Sequence, residues 1–217
     1  IEGLGRKAIT FEADISNAAH VDQMVQGTVK EFGHIDILVN NAGSAAGPDR
    51  VPIVELDEEV WDQVQRINLK GTFLCCRAVA KELIKKGNGG KIINISSIAG
   101  TKGIARFGAY CASKFAVRGL TQVLAKELGE FGIQVNAICP GMVITERYYG
   151  IAEALAPDGV ETQEFLDEIE KQSIADTPLG RVATTDDVAK IAAFLASSES
   201  DFHTGMSFTV DGGRDMY

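Results

Sequence analysis

Short apolar runs alternate along this chain with amphipathic stretches of about ten residues or more, and this alternation constrains the fold more than any other feature. Lys7–Ala13 is β-rich and ends at Asp14. Asn17–Phe32 has helical spacing, with Ser16 or Asn17 as its cap and Gly33 as its stop. Ile35–Val39 is a mostly apolar run that reads as a strand buried on both faces. Asp57–Lys86 reads as one long helix, ended by Gly87-Asn88-Gly89-Gly90. Lys91–Ile95 and Ile133–Ile138 are further buried strands, separated by a helix over Tyr110–Phe131. Thr145–Thr177 is irregular, with two short helical stretches; Thr185–Ala196 is helical, and Met206–Val210 is a last strand. Strands joined by helices make βαβ units with right-handed crossovers. The expected fold class is therefore α/β: one domain over residues 1–217, a doubly wound parallel sheet with helices on both faces.

Ligands of such sheets bind outside the carboxyl ends of the strands. The residues that follow the strands here are Asp14, Asn40-Asn41-Ala42-Gly43, Ser96-Ser97 and Pro140-Gly141. All are polar or turn-forming, so one edge of the sheet collects the candidate site. Thr145–Thr177 follows Pro140-Gly141 and carries Gly150, Pro157 and Gly159 as breakers. It reads as an insertion over that edge, a lid that orders on binding.

The formal net charge of −9 disfavours nucleic acid and anionic membranes as partners. It leaves room for an anionic cofactor held locally by backbone amides. No run of 18 apolar residues is long enough to span a membrane. Cys75, Cys76, Cys111 and Cys139 form no Cys-x-x-Cys pair and read as buried, reduced thiols of a cytoplasmic protein. His20, His34 and His203 lack ligand spacing, so no metal is expected.

Tyr110 and Lys114 lie four positions apart on one helix, so phenol and ammonium point the same way. A free tyrosine titrates near pH 10, and a neighbouring ammonium lowers that value by stabilising phenolate. Such a pair in a cleft is a workable acid and base; alone it is also what an ordinary amphipathic surface produces. Ser97 follows the strand Lys91–Ile95, thirteen positions before Tyr110, and could hold a substrate oxygen. No Gly-x-Ser-x-Gly elbow surrounds it, so it is not read as a nucleophile. Asn68 falls inside the long helix, either as a tolerated polar residue or as one that distorts the helix and holds a water near Lys114.

Taken in order, Asn40-Asn41-Ala42-Gly43, Asn68-Leu69-Lys70-Gly71, Ser97, Tyr110-x-x-x-Lys114 and Pro140-Gly141-Met142-Val143-Ile144-Thr145 resemble the short-chain dehydrogenase/reductase family. Pro178-Leu179-Gly180-Arg181 and Thr204-Gly205 with Asp211-Gly212-Gly213 continue the resemblance over essentially the whole chain. The resemblance implies a Rossmann-type domain that moves hydride between NAD or NADP and an alcohol/carbonyl pair. Tyr110 would be the acid/base, Lys114 would lower its pKa and bind the nicotinamide ribose, Ser97 would orient the carbonyl, and Asn68 would complete a proton relay. Asp14 and Ile15 would meet the adenine, and Asn41, Ala42 and Gly43 its ribose. Pro140, Gly141, Val143 and Thr145 would hold the nicotinamide. Asn40 has a competing structural role as a tie between strands.

The substrate is expected to be a sugar alcohol, a diol or hydroxyketone, or a 3-oxoacyl thioester; a non-catalytic nucleotide-binding scaffold is the alternative on the same fold. Surplus apolar residues such as Phe73, Val79, Phe115 and Val123 on two helices, with the resemblance, imply a homotetramer. The family's Gly-rich pyrophosphate loop has no counterpart here, and with it goes the residue that separates NAD from NADP. The natural polypeptide is expected to be longer, with a strand, helix and strand before Ile1.

Overall fold

The computed structural model describes residues 1–44 and 47–215. Among them four parallel strands form one sheet in sequence order: β1 (Ile37–Asn40), β2 (Gly90–Ile95), β3 (Ile133–Pro140) and β4 (Ser207–Val210). Asn17 opens α1 (Ala18–Phe32), its side chain accepting a bond from the Ala19 amide at 2.9 Å. Asp57 opens α2 (Glu58–Gln65), accepting from Glu59 and Val60 at 2.8 and 3.3 Å. These caps satisfy amides that have no partner within the helix. The connections continue through α3 (Thr72–Lys86), α4 (Gly108–Leu128), α5 (Glu146–Leu155), α6 (Thr162–Ala175) and α7 (Thr185–Ala196).

Both faces of the sheet are covered. On one, Val21 and Val25 of α1, Leu74 and Leu83 of α3, and Leu128 of α4 pack against Ile92 and Val135. On the other, Leu195 of α7 packs against Ile93 and Ile138. Ile92 and Ile93 are neighbours in sequence, so the pleat sends them to opposite faces, and both are buried. Each fully buried side chain of this size contributes about 1.5–3 kcal/mol.

Three expectations need correction. Lys7–Ala13 is not a strand. Among the described residues its backbone has no partner strand, and Phe11 lays its ring against Gly27 of α1, where a Cβ would approach it to 2.5 Å. Strand formation depends on a neighbour, and composition alone does not provide one. Ile35–Val39 is not buried on both faces: β1 is a sheet edge with Ile37 43% and Val39 46% exposed, while Ile35 and Leu38 pack against the core. Asp57–Lys86 is not one uniform helix. Residues Arg66–Gly71 widen into a π-helical turn between α2 and α3. Asn68 sits in this turn, 1% exposed, and its carbonyl accepts from Thr72 Oγ1 at 2.7 Å. A local widening of this kind re-aims a side chain and recurs at functional sites. Gly71 lets the turn close on Ile15, whose side chain would stand 2.7 Å from a Cβ there.

Candidate active site

The carboxyl ends of β2 and β3, the start of α4 and the π-turn meet around Tyr110. Lys114 is 6% exposed, and its Nζ lies 5.7 Å from the centroid of the Tyr110 ring. That Nζ donates to the Ile95 carbonyl at 2.8 Å, tying α4 to the end of β2. Burial drives the Lys114 pKa down to about 8, and repulsion from Arg147 adds to the effect. Among the described residues no carboxylate offsets it. Ser96 Oγ donates to the Lys114 carbonyl at 2.9 Å. Next to it, Ser97 is extended and accepts from the Ala99 amide at 3.1 Å, which leaves its hydroxyl proton for another acceptor.

Asn68 is gripped at both ends of its amide. Its Oδ1 accepts from the Ser44 amide at 2.7 Å, and its Nδ2 donates to Ser113 Oγ at 3.0 Å. Ser113 Oγ in turn donates to the Tyr110 carbonyl at 2.7 Å. Through Ser113 the side chain is linked to the backbone of Tyr110. Asn40 stays outside the site. Its Nδ2 donates to Asn94 Oδ1 on β2 at 2.8 Å, the strand tie its position implied, and Asn94 continues to Thr121 at 2.9 Å.

After β3, the Gly141 amide donates to the Val210 carbonyl at 2.9 Å. A Cβ on Gly141 would stand 2.8 Å from Asp211 Cβ, so the chain can pass here only as glycine. Val143 bridges to Ala183, and Thr145 is extended and leads into α5. Pro140, Gly141, Val143 and Thr145 are all partly exposed along one edge. Asp14, Asn41, Ala42 and Gly43 are exposed to solvent, and a Cβ on Gly43 would stand 3.2 Å from Asn68 Oδ1. Asp14 accepts from the Ser16 amide at 2.8 Å, and bonding from Ser16 holds its carboxyl below the usual range.

Two arginines complete the site. Arg50 is fully buried, its Cζ 4.0 Å from the Phe107 ring centroid and 4.9 Å from that of Tyr110. Its Nη1 pairs with the buried Asp49. Arg147, at the start of α5, places its Cζ 5.3 Å from the Tyr110 ring centroid and donates to the Ser44 carbonyl. Arg50 leaves no mark in the sequence, because its burial depends on stacking against aromatic rings far along the chain.

A family model described as enoyl-(acyl carrier protein) reductase matches residues 1–215. A short-chain dehydrogenase/reductase of Armillaria gallica is 41% identical over 214 residues, 98% of this chain and 78% of that protein. The chain belongs to the short-chain dehydrogenase/reductase family. A second relative, 2-dehydro-3-deoxy-D-gluconate 5-dehydrogenase of Dickeya dadantii, is 39% identical over 98% of this chain and 78% of its own length. Among solved structures of the family, NAD+-bound xylitol dehydrogenase superposes with a TM-score of 0.88 at 30% identity, covering 98% of this chain and 81% of that one. A gluconate 5-dehydrogenase from Burkholderia cenocepacia J2315, in complex with NADP and tartrate, gives 0.80 at 35% identity over 93% and 72%.

Proposed function

We propose that this protein is an NAD(P)-dependent dehydrogenase or reductase of a small polyhydroxylated or hydroxyketo substrate, with Tyr110 exchanging the proton. The observation that carries this reading is Lys114: a nearly buried ammonium, unpaired with any described carboxylate, held over the Tyr110 ring. Burying such a charge without a paired anion is costly. Here it stabilises the phenolate formed when Tyr110 gives up its proton. Ser97, with a free hydroxyl proton, holds the substrate oxygen. Asn68 fixes the start of α4 through Ser113, and so positions Tyr110.

The residues present fit the nicotinamide half of a dinucleotide. Lys114 spends one N–H on Ile95 and keeps two for ribose hydroxyls. Pro140, Gly141, Val143 and Thr145 offer a partly exposed edge beside it; Asp14, Ile15, Asn41, Ala42 and Gly43 serve the adenosine side. When bound, the cofactor supplies the hydride acceptor or donor. A screen of polyols, sugar acids and hydroxyketones with both cofactors, followed at the absorbance of reduced nicotinamide, tests the function. We expect turnover of at least one polyhydroxylated compound, and none with any compound or cofactor overturns the assignment.

Residues 145–177, with α5 and α6, act as the lid. Their amide exchange should slow in the ternary complex, and equal exchange with and without ligands would remove the lid. Phe73, Phe115 and Val123 stand 40%, 43% and 51% exposed on α3 and α4, which supports burial between subunits of a tetramer. A monomer by light scattering at micromolar concentration overturns that. No helix among the described residues is long and apolar enough to cross a membrane, and all four cysteines are buried and unpaired, as suits a cytoplasmic enzyme.

A further inference from the structure

The chain carries a net charge of −9, yet three cations face one phenol ring: Lys114, Arg50 and Arg147, at 5.7, 4.9 and 5.3 Å from its centroid. Proton exchange at Tyr110 needs only the first. Arg147 works against it, since its charge helps to push the lysine toward neutrality. Arg50 is already paired with Asp49, whereas Arg147 bonds only the neutral Ser44 carbonyl among the described residues, so the acid/base chemistry alone does not account for its charge.

The hydrogen-bonding ledger of Arg50 points the same way. Asp49 takes Nη1, but Nε and Nη2 are buried with no partner among the described residues. Asp49 Oδ1 and Ser44 Oγ, likewise buried, have none either. Buried polar atoms are nearly always paired, and unpaired ones mark a missing ligand or a functional strain. The open positions are two guanidinium nitrogens of Arg50, one carboxylate oxygen of Asp49 and the hydroxyl of Ser44. A carboxylate matches the planar fork of a guanidinium and takes both N–H bonds. A hydroxyl on the neighbouring carbon can donate to Asp49 Oδ1. A polyol of the same length would leave Arg147 without a charged partner.

We propose that Arg50 and Arg147, with Asp49 beside them, form a subsite for the carboxylate end of a polyhydroxy or hydroxyketo acid, making this protein a sugar-acid dehydrogenase. The assignment rests on the dehydrogenase reading above and narrows its substrate. Arg147 reaches the ligand by exchanging the Ser44 carbonyl, a neutral acceptor, for a charged one. Because Arg147 belongs to α5, the anion also draws the lid over the site. Arg50 is closed to solvent in the present conformation, so the acid reaches it only when the groups around it move.

Gluconate and sorbitol differ at one carbon, a carboxylate against a hydroxymethyl group, and provide the test. Calorimetric titration of the full chain with each, under saturating NAD and separately NADP, should show gluconate binding at least about tenfold tighter, the smallest effect of a hydrogen bond to a charged group. Arg147→Met, and the charge-neutral double variant Asp49→Asn/Arg50→Gln, should each shrink that preference by on the order of 10- to 100-fold. Arg147→Lys should restore part of it. Thermal melts confirm folding, and if the buried double variant fails to fold, Arg147→Met decides alone. Equal affinity for the two compounds, or an undiminished preference in Arg147→Met, overturns the subsite. Turnover in the same samples separates the two readings. Gluconate bound tightly but never oxidised upholds the subsite and overturns the dehydrogenase. Oxidation of both compounds without preference upholds the dehydrogenase and overturns the subsite.

Discussion

At the nicotinamide end of the proposed cofactor site, functional side chains are held by other parts of the protein; at the adenine end they stand in solvent. Lys114 is anchored on Ile95, Asn68 between Ser44 and Ser113, and Ser97 on the Ala99 amide. Asp14, Asn41, Ala42 and Gly43 are exposed, and Asp14 bonds only residues close to it in sequence. The difference follows from what each end must do. Chemistry requires groups fixed before the substrate arrives, because reorganisation during the reaction raises the barrier. Affinity requires only that contacts form. Substitutions at the first end should therefore change turnover, and those at the second should change cofactor binding.

The largest effect is expected at Tyr110. Tyr110→Phe removes one hydroxyl and keeps the ring that stacks near Phe107 and the arginines. Turnover should fall by about 10²–10⁴, the usual contribution of an acid/base group, with cofactor affinity and melting temperature close to the parent. More than half of the parent kcat surviving would remove Tyr110 from the mechanism.

Lys114→Met should reduce turnover about 10- to 100-fold and shift fast oxidation to higher pH. It carries a second signature that a surface lysine could not give. The folded-state pKa of Lys114, about 8, lies below the 10.5 of a free lysine. Between those values the unfolded chain binds more protons than the folded one, so this group makes stability rise with pH across that window. Below pH 8 the full cost of the buried ammonium, on the order of a few kcal/mol, is present. The methionine variant should therefore melt higher than the parent at pH 7, and the gap should close by about pH 10.5. Comparing the two proteins cancels groups they share, such as Cys76, whose thiol burial pushes up to about 12. A variant less stable at pH 7, or a gap independent of pH, would contradict the burial argument.

The two ends were also unequally legible in the sequence. Helix α4 declared itself through the spacing of Tyr110 and Lys114, because both residues belong to one element and helical geometry fixes their relation. The tie from Asn40 to Asn94 followed from the strand end it occupies. The π-turn around Asn68 was readable only as one of two alternatives, since one widened turn barely disturbs the apolar period on either side. Arg50 was not readable at all. Its local sequence, Gly47-Pro48-Asp49-Arg50, looks like a surface turn, and its burial comes from Phe107 and Tyr110 across the fold. Lys7–Ala13 failed in the opposite direction: the local signal was strong, but a strand exists only where another strand accepts its hydrogen bonds.

The smallest effect belongs to the adenine end, and it needs the most careful design. Asp14 already accepts a bond from the Ser16 amide, so Asp14→Ala removes both a proposed adenine contact and a local turn. Loss of one such hydrogen bond should weaken dinucleotide binding by roughly 2- to 10-fold with kcat unchanged. A small structural disturbance near α1 could give the same number. Nicotinamide mononucleotide, which lacks the adenosine half, separates the two causes. If Asp14 contacts adenine, the variant and the parent should bind the mononucleotide equally well and differ only with the dinucleotide. If the substitution merely loosens the turn before α1, both ligands should weaken together. Tyr110→Phe provides the opposite control, because its turnover defect should persist with either ligand. A mononucleotide affinity that falls in Asp14→Ala as far as the dinucleotide affinity would break the division between the two ends of the site.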